Sequence, residues 1–173
     1  MSNLSNSKDV TVRRATEVDL ARINEIYNHY VLTSPVTFDL EVISVELRSE
    51  WFARHAPVGP HRLLVAEEDG TVLGYADSHQ FREKQAYDTT VETTVYCAPG
   101  AIGRGIGRRL YAALFDALRD EDLRMALAGI TLPNDASVAL HERFGFTPSG
   151  VLHEVGRKFD RYWDVAWYEK RLG

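Results

Sequence analysis

Three parts of the sequence carry residue types that could do chemistry, and the densest is a glycine-rich run. Gly103-Arg-Gly-Ile-Gly-Arg108 lies between a predicted strand and a predicted helix. Glycines let backbone N–H groups approach a ligand closely, and the N-terminus of a helix favours anions. Residues 93–115 contain three arginines and no acidic residue, within a chain of net charge −5. The run therefore predicts a site for phosphate groups.

The spacing of the glycines narrows the class of phosphate ligand. The dinucleotide-binding fingerprint requires a glycine where Arg108 stands, and a P-loop requires a Gly-Lys-Ser/Thr sequence that the run lacks. The alternative to a phosphate site is a tight turn with solvated arginines. The position between strand and helix and the local positive charge favour the phosphate site.

Glu92 and His141 are the candidate acid–base residues. Glu92 interrupts a strand of valines and threonines, where a carboxylate is costly unless it faces solvent or has a function. An ordinary glutamate titrates at about 4.3, so a role as base requires a water or a raised pKa. His141 shares a helix face with Ser137 and can donate or accept a proton near neutral pH. The alternatives are a solvent-facing strand residue and a packed helix histidine.

The remaining histidines and the single cysteine are given structural interpretations. Cys97 is interpreted as a small core residue, because no base is positioned beside it by the sequence. The histidines interpreted as surface or packed residues are His29, His55, His61, His79 and His153.

The elements that must position these residues follow the order β-α-α-β-β-β-α-β-α-β-β. The predicted strands are Val10–Arg14, Arg62–Glu67, Thr71–His79, Asp88–Cys97, Met125–Thr131, Thr147–Val155 and Tyr162–Lys170. Helices are predicted from an N-cap at Asp19, over Val45–His55, from Gly105 to Leu118, and from Asn134 to Phe144. Asp69-Gly70 marks a hairpin. The order predicts an α+β fold with a mixed, mostly antiparallel sheet flanked by about four helices.

Length and composition exclude several classes of protein. The 173 residues suit one domain, predicted over residues 10–173 after a flexible lead-in at residues 1–9. The acidic net charge argues against a broad nucleic-acid footprint. The longest apolar run, Leu110–Phe115, is far too short for a membrane helix, and the polar start lacks a secretory signal. One cysteine excludes an internal disulfide and a multi-cysteine zinc site. We expect a cytoplasmic protein without metal, nucleic acid or membrane.

The glycine run and the strand before it resemble a family motif. Val95-Tyr-Cys-Ala-Pro99 followed by Gly103–Leu110 resembles the pyrophosphate-binding motif of the GNAT superfamily of acetyl-CoA-dependent N-acetyltransferases. That motif is usually Gln/Arg-x-x-Gly-x-Gly/Ala. The chain matches it at Gly105 and Gly107 but has Ile102 where Arg or Gln is expected. This departure weakens the polar support of the loop, whereas the main contacts come from backbone amides.

A narrower resemblance covers about residues 10 to 170. The chain resembles the phosphinothricin and methionine sulfone N-acetyltransferase branch at Asn28-His-Tyr30, Thr37-Phe38, Ala86-Tyr-Asp88, Val91-Glu-Thr-Thr-Val-Tyr96, Leu132-Pro-Asn-Asp135, Leu140-His-Glu142 and Trp163-Asp-Val-Ala-Trp167. The resemblance implies a GNAT fold, a homodimer, and transfer of an acetyl group from acetyl-CoA to the α-amine of a small amino acid such as phosphinothricin, methionine sulfone or methionine sulfoximine.

The resemblance also assigns roles to residues. Glu92 matches the family's strand glutamate, and His141 stands where many GNAT members have the tyrosine acid for the CoA sulfur. Which of the two is the principal base stays open. The residues expected to bind acetyl-CoA are Val95, Tyr96 and Cys97 along the pantetheine, Gly103, Arg104, Gly105, Ile106, Gly107 and Arg108 around the pyrophosphate, and Asn134 and Ser137 beside the pantetheine or adenosine.

Acceptor binding is assigned to two other segments. The family has basic residues at the positions of Arg82 and Lys84, which are expected, with the nearby Tyr87, to hold the acidic groups of the substrate. Phe38 matches an aromatic wall. The alternatives are solvated loop charges and core packing. The segment Lys158–Asp164 diverges, because Phe159 and Trp163 stand where the family has histidines.

Two further functions remain open at the level of sequence. The same fold could acetylate a peptide N-terminus or a polyamine, although Arg82 and Lys84 would repel a polyamine. A non-catalytic acetyl-CoA-binding sensor would keep the glycine run and dispense with Glu92 and His141, yet both residues are present.

Overall fold

A seven-stranded sheet forms the body of the chain in a computed structural model that describes residues 9–173. The lead-in predicted over residues 1–9 lies, apart from Asp9, outside the described residues. The strands are β1 Thr11–Arg14, β2 Leu63–Glu68, β3 Thr71–Gln80, β4 Thr90–Cys97, β5 Met125–Thr131, β6 Thr147–Lys158 and β7 Arg161–Arg171. The α-helices are α1 Leu20–Thr33, α2 Val45–Phe52, α3 Ile106–Ala117 and α4 Asp135–Arg143.

The sheet is mixed, with the order β1-β2-β3-β4-β5-β7-β6. Within the described residues β4 and β5 pair in parallel, and the other neighbouring strands pair antiparallel. The parallel pair requires a crossover, and α3 provides it. The predicted α+β class, with a mostly antiparallel sheet and about four helices, is confirmed.

Short local signals explain where several elements begin and end. Asp69 and Gly70 both have positive φ, 49° and 75°, as a tight β2–β3 hairpin requires. The Asn134 side chain accepts a hydrogen bond from the backbone N–H of Ser137 at 3.2 Å and caps α4. Gly145, at φ 81°, follows the last turn of that helix.

Two helix predictions are corrected by tertiary contacts. Asp19 stands at the start of α1, but its carboxylate accepts from Arg13 and from Thr16 instead of capping the helix. The second helix ends at Phe52 rather than His55. The ring of His55 packs against Trp51, with 4.6 Å between centroids, and faces the sheet at Asp77. His55 therefore lies beyond the end of the helix, where it contacts Trp51 and Asp77.

The helices cover both faces of the sheet, and β4 shows which helix lies on which face. The Tyr96 ring lies 5.5 Å from that of Tyr30 on α1, whereas Thr93 meets Tyr111 of α3. Because adjacent odd and even residues of a strand point to opposite faces, α1 and α3 lie on opposite sides of β4. The α3 side is closed by the fully buried Ile106, Leu110 and Leu114.

Candidate active site

The site forms where two central strands separate. β4 and β5 pair only from Thr90–Glu92 and Met125–Leu127, although both strands continue beyond that point. No strand in the described part of the chain pairs with this edge of β4 after Glu92. The backbone N–H and C=O groups of the edge therefore face a wedge, and a cavity of about 510 Å³ opens there. An extended ligand can form hydrogen bonds with the backbone groups of β4 that β5 does not pair.

Nearly all residues predicted to bind the cofactor come together around this cavity. Those that line it are Val95, Tyr96, Cys97, Gly103, Gly105, Ile106, Gly107, Arg108, Asn134 and Ser137, together with His141. Arg104 does not, because its guanidinium lies 2.6 Å from the carboxylate of Glu68 on β2. This ion pair turns the charge of Arg104 away from the wedge, and its contact with the cofactor stays a prediction. Burial raises the pKa of the Cys97 thiol, which keeps it protonated.

The glycine loop at one end of the cavity has the backbone that an anion site needs. Gly103 and Gly105 have φ values of 79° and 75°, in the left-handed region that favours glycine. Gly105 stands directly before α3, whose first N–H groups have no partner within the helix. Arg108 adds a positive charge to the lining. Ile102 also lines the cavity, so the loop lacks the polar side chain usual at that position.

His141 lies on the α3 face of the site, almost fully buried. Its Nδ1 is 2.7 Å from the backbone oxygen of Ser137, which must accept, so Nδ1 carries the hydrogen. Its Nε2 accepts a hydrogen bond from the hydroxyl of Tyr111 at 2.9 Å. Burial lowers the pKa of His141, against the opposing effect of the Ser137 carbonyl. The imidazole is therefore held neutral with both nitrogens occupied.

Tyr111 is a site residue that the sequence does not reveal. It is fully buried, lines the cavity, and lies 3.5 Å from the hydroxyl of Thr93 as well as bonding to His141. Burial raises the pKa of Tyr111, so its hydroxyl stays protonated and can donate. In the sequence it belongs to the apolar run Leu110–Phe115, where an aromatic residue indicates core packing.

Glu92 lies on the opposite face of β4, one residue before the cavity lining begins. Burial raises the pKa of Glu92, while the nearby His79 opposes this effect. The Nε2 atom of His79 is 3.9 Å from a Glu92 carboxylate oxygen. His79 in turn donates from Nδ1 to the buried Asp77 at 2.7 Å, and His55 faces the same carboxylate oxygen at 3.3 Å. Asp77 is a further residue that the sequence interpretation missed; its spacing of two from His79 on one strand was the available signal.

The predicted acceptor residues lie outside the cavity lining. The exposed Arg82 guanidinium lies over the rings of Phe81 and Tyr87, 5.0 Å and 5.6 Å from their centroids. Lys84 is exposed in the same segment. Arg82 and Tyr87 are therefore brought together, and Lys84 follows without a shared contact.

Phe38 is partly exposed and lies against β6 rather than in the core. A Cβ atom at Gly156 would collide with the Phe38 ring, so the glycine makes room for it. Next to it, the buried Lys158 donates to the backbone oxygen of Thr37 at 2.8 Å and holds the segment in place. The divergent segment that begins at Lys158 thus supports the predicted aromatic wall.

Residues 9–173 offer neither a metal-binding cluster nor a helix that could span a membrane. No group of three or more His, Cys, Asp or Glu side chains there is arranged to hold a metal ion. None of the helices in that range has the length and apolar character that a membrane crossing requires.

Comparison with known proteins agrees on one family. A family model described as an acetyltransferase (GNAT) domain matches residues 12–167. Phosphinothricin N-acetyltransferase of Streptomyces coelicolor is 57% identical over 166 residues, which is 95% of this chain and 97% of that protein. L-methionine sulfoximine/L-methionine sulfone acetyltransferase of Salmonella typhimurium is 36% identical over 163 residues, 94% of this chain and 95% of that protein.

A solved structure adds the cofactor to this comparison. A GNAT superfamily phosphinothricin acetyltransferase from Sinorhizobium meliloti, in complex with acetyl-CoA, superimposes with a TM-score of 0.88 at 33% identity. The match covers 95% of this chain and 89% of that one.

Proposed function

Because the chain belongs to the GNAT acetyltransferase family, we propose that it transfers the acetyl group of acetyl-CoA to the α-amine of a small amino acid of the phosphinothricin or methionine sulfone type. The 57% identity to a phosphinothricin N-acetyltransferase, over nearly the full length of both chains, carries this proposal. The family match also agrees with the resemblance read from the sequence, with the GNAT fold and with acetyl-CoA as co-substrate.

The wedge fits acetyl-CoA in shape and in chemistry. The free edge of β4 at Val95 and Cys97 can pair with the amides of the pantetheine arm. The loop Gly103–Arg108 offers backbone N–H groups and one arginine to the pyrophosphate. Ser137 and the amide nitrogen of Asn134, whose oxygen already caps α4, remain for the pantetheine or adenosine side. Acetyl-CoA supplies an activated acetyl thioester, and the residues around it must prepare the amine and stabilise the leaving sulfur.

Glu92 is proposed as the base. An amine attacks only in its neutral form, so an N–H bond of the substrate ammonium must break and its proton must move to an acceptor. The raised pKa of Glu92 makes its carboxylate a better acceptor than an ordinary glutamate. Its position one residue before the cavity lining places it beside the wedge without occupying it.

His141 and Tyr111 are proposed to serve the sulfur. The Nε2 atom of His141 already accepts from Tyr111, and its lowered pKa keeps the ring neutral, which disfavours it as the principal base. Tyr111 lines the cavity, and its hydroxyl carries one hydrogen. Negative charge that develops on the leaving sulfur competes with Nε2 for that hydrogen, and the hydrogen bond then stabilises the thiolate.

The acceptor side chain is proposed to contact Arg82. The guanidinium is exposed and is oriented by two aromatic rings, an arrangement suited to a phosphinate, sulfone or carboxylate group. The partly exposed Phe38, which lies over Gly156, is proposed as an apolar contact of the acceptor. Lys84 and Tyr87 complete the proposed set as flanking residues.

Thiol release from acetyl-CoA, measured against a panel of amines, tests the proposal. The panel contains phosphinothricin, methionine sulfone, methionine sulfoximine, ordinary amino acids, polyamines and N-terminal peptides. We expect turnover with the first three. Turnover with peptides alone would replace the proposed acceptor by a protein N-terminus, and tight acetyl-CoA binding without any turnover would indicate a sensor.

We also propose that residues 10–173 act as one domain, that the enzyme is a homodimer, and that it works in the cytoplasm, where acetyl-CoA is available. The outer strand β6 supports the dimer, because it exposes Val151, Leu152 and Val155 at 43%, 48% and 53%. Exposed apolar side chains on an edge strand are typical of an interaction surface. Light scattering after gel filtration should give twice the chain mass, and Val155→Asp should reduce it. The mass of a single chain for the wild type would contradict the dimer.

A further inference from the structure

A buried carboxylate lies behind the proposed base and has no part in the reaction described so far. Asp77 on β3 is 1% exposed. One of its oxygens accepts from Nδ1 of His79 at 2.7 Å and faces Nε2 of His55 at 3.3 Å. The other oxygen accepts from the hydroxyl of Thr94. Although burial acts in the opposite direction, the hydrogen bonds from the two histidines lower the pKa of Asp77, so the carboxylate is charged.

His79 connects this carboxylate to Glu92. Because Nδ1 donates to Asp77, Nε2 points away from it, towards the Glu92 carboxylate at 3.9 Å. His79 and Glu92 are direct partners across the β3–β4 pair, so their side chains share one face of the sheet. The His79 side chain is 34% exposed. The imidazole thus contacts a fixed negative charge, the proposed base and solvent.

The neighbouring His55 also contacts Asp77, but it differs from His79 in its exposure to solvent and in its second partner. The side chain of His55 is 3% exposed. Its two nitrogens face the backbone oxygen of Trp51 at 3.1 Å and Asp77 at 3.3 Å. His55 therefore has both nitrogens against protein acceptors and no route to solvent, as expected of a packed residue. Within residues 9–173 no protein group forms a hydrogen bond with Nε2 of His79, and the Glu92 carboxylate lies 3.9 Å from it.

We propose that His79, held by Asp77, takes the substrate-amine proton from Glu92 and passes it to solvent. This inference rests on Glu92 as the base of the proposed function. The O–H bond of protonated Glu92 breaks as an N–H bond forms at Nε2, and that hydrogen then leaves to water. Glu92 returns to its carboxylate form and His79 to its neutral form, so the exchange is balanced. Asp77 stabilises the imidazolium in between.

Glu92 must turn towards His79 for this transfer, since 3.9 Å exceeds a hydrogen bond. The Glu92 side chain is 26% exposed, which leaves it room to rotate. His79 does not touch the substrate in this arrangement. It is a positioning residue that acts through Glu92, and its loss should lower kcat while leaving both KM values unchanged.

His79→Asn is the test variant, because asparagine keeps an N–H donor for Asp77 near the Nδ1 position but ends short of Glu92 and cannot take a proton. We expect kcat to fall roughly tenfold, less than the loss of the base itself, because Glu92 still reaches water. Free imidazole added to the assay should raise the rate of the variant and not that of the wild type. His29→Asn, an exposed histidine on α1, is the matched control and should behave as wild type.

The possible outcomes separate the relay from the function on which it rests. Wild-type kcat in His79→Asn, or a loss that imidazole does not relieve in a folded variant, overturns the relay. Tm and acetyl-CoA affinity report folding, and His79→Gln undergoes the same measurements if the asparagine variant does not fold. If Glu92→Gln retains full turnover, the proposed base is wrong and the relay fails with it. If Glu92→Gln is inactive and His79→Asn is fully active, the relay alone fails.

Discussion

The two histidines on opposite faces of β4 differ in what their Nδ1 atoms bind. His79 donates to the carboxylate of Asp77, whereas His141 donates to the backbone carbonyl of Ser137. Burial alone would lower the pKa of His79, but the hydrogen bond to Asp77 and the charges of Asp77 and Glu92 raise it. Burial does lower the pKa of His141. Burial acts in the same direction on both histidines, so the carboxylates of Asp77 and Glu92 beside His79 account for the difference between the two pKa shifts.

This difference suits the two faces to different parts of acetyl transfer. On the face that carries His79 and Glu92, charged groups next to solvent can accept a proton and release it to water. On the second, a neutral chain runs from His141 through Tyr111 to Thr93 inside the cavity, and its hydroxyl can stabilise a leaving sulfur. This contrast supports the proposed roles of Glu92 as base and of His141 as support, between which the sequence does not decide.

The largest expected effect comes from removing the proposed base, Glu92, from the face of β4 that it shares with His79. Glu92→Gln should lower kcat about 100- to 10,000-fold, the usual loss when a positioned base is removed. Acetyl-CoA affinity should not change, because Glu92 does not line the cavity. Steady-state thiol release and calorimetry measure the two quantities. Glu142→Gln, at an exposed residue beside His141, is the control and should keep full activity. Normal kcat in Glu92→Gln would remove the base from this face.

A smaller effect is expected from a substitution in the glycine loop Gly103–Arg108. Gly105 has a φ of 75°, which a β-branched residue adopts only at a cost of about 1–3 kcal/mol. Gly105→Val should therefore weaken acetyl-CoA binding about tenfold, with both faces intact. Gly100→Ala lies in the same segment without a positive φ and should bind normally. Unchanged affinity in Gly105→Val, read by calorimetry, would take the pyrophosphate away from this loop.

The smallest of these effects is expected on the face of β4 that carries Tyr111 and His141. Tyr111→Phe removes one hydroxyl and leaves His141 without its donor. The loss of one hydrogen bond amounts to about 1 kcal/mol, which corresponds to roughly a fivefold fall in kcat. The decrease should be larger with acetyl-CoA than with a thioester whose thiol is more acidic, because a weaker base needs less stabilisation. Equal losses with both donors would argue that Tyr111 only packs the core.

The sequence predicts those parts of the fold that local signals determine. Met125–Thr131 is predicted with its observed bounds, because an apolar run is closed by charged residues on one side and a proline on the other. The hairpin at Asp69-Gly70 and the cap at Asn134 also follow from local chemistry. The glycine loop is recognised by its spacing, and the structure places it at the start of α3.

The parts that the sequence does not predict depend on residues far apart in the chain. Arg104 pairs with Glu68, 36 residues earlier, a contact that the sequence of the glycine loop does not indicate. The cluster at Asp77 forms only when the end of α2 brings His55 across the sheet. Tyr111 looks like any aromatic residue in an apolar run until α4 places His141 against its hydroxyl. Such contacts form only in the tertiary fold, and no regular spacing of residues in the sequence indicates them.

The opposite protonation of the two faces is tested most directly by an NMR titration of the imidazole C–H signals. The signals of His79 and His141 are assigned by their disappearance in His79→Asn and His141→Asn. The midpoint of His79 should lie above the ordinary histidine value of about 6.5, and that of His141 below it. A His141 midpoint at or above that of His79 would contradict the division of work between the two faces.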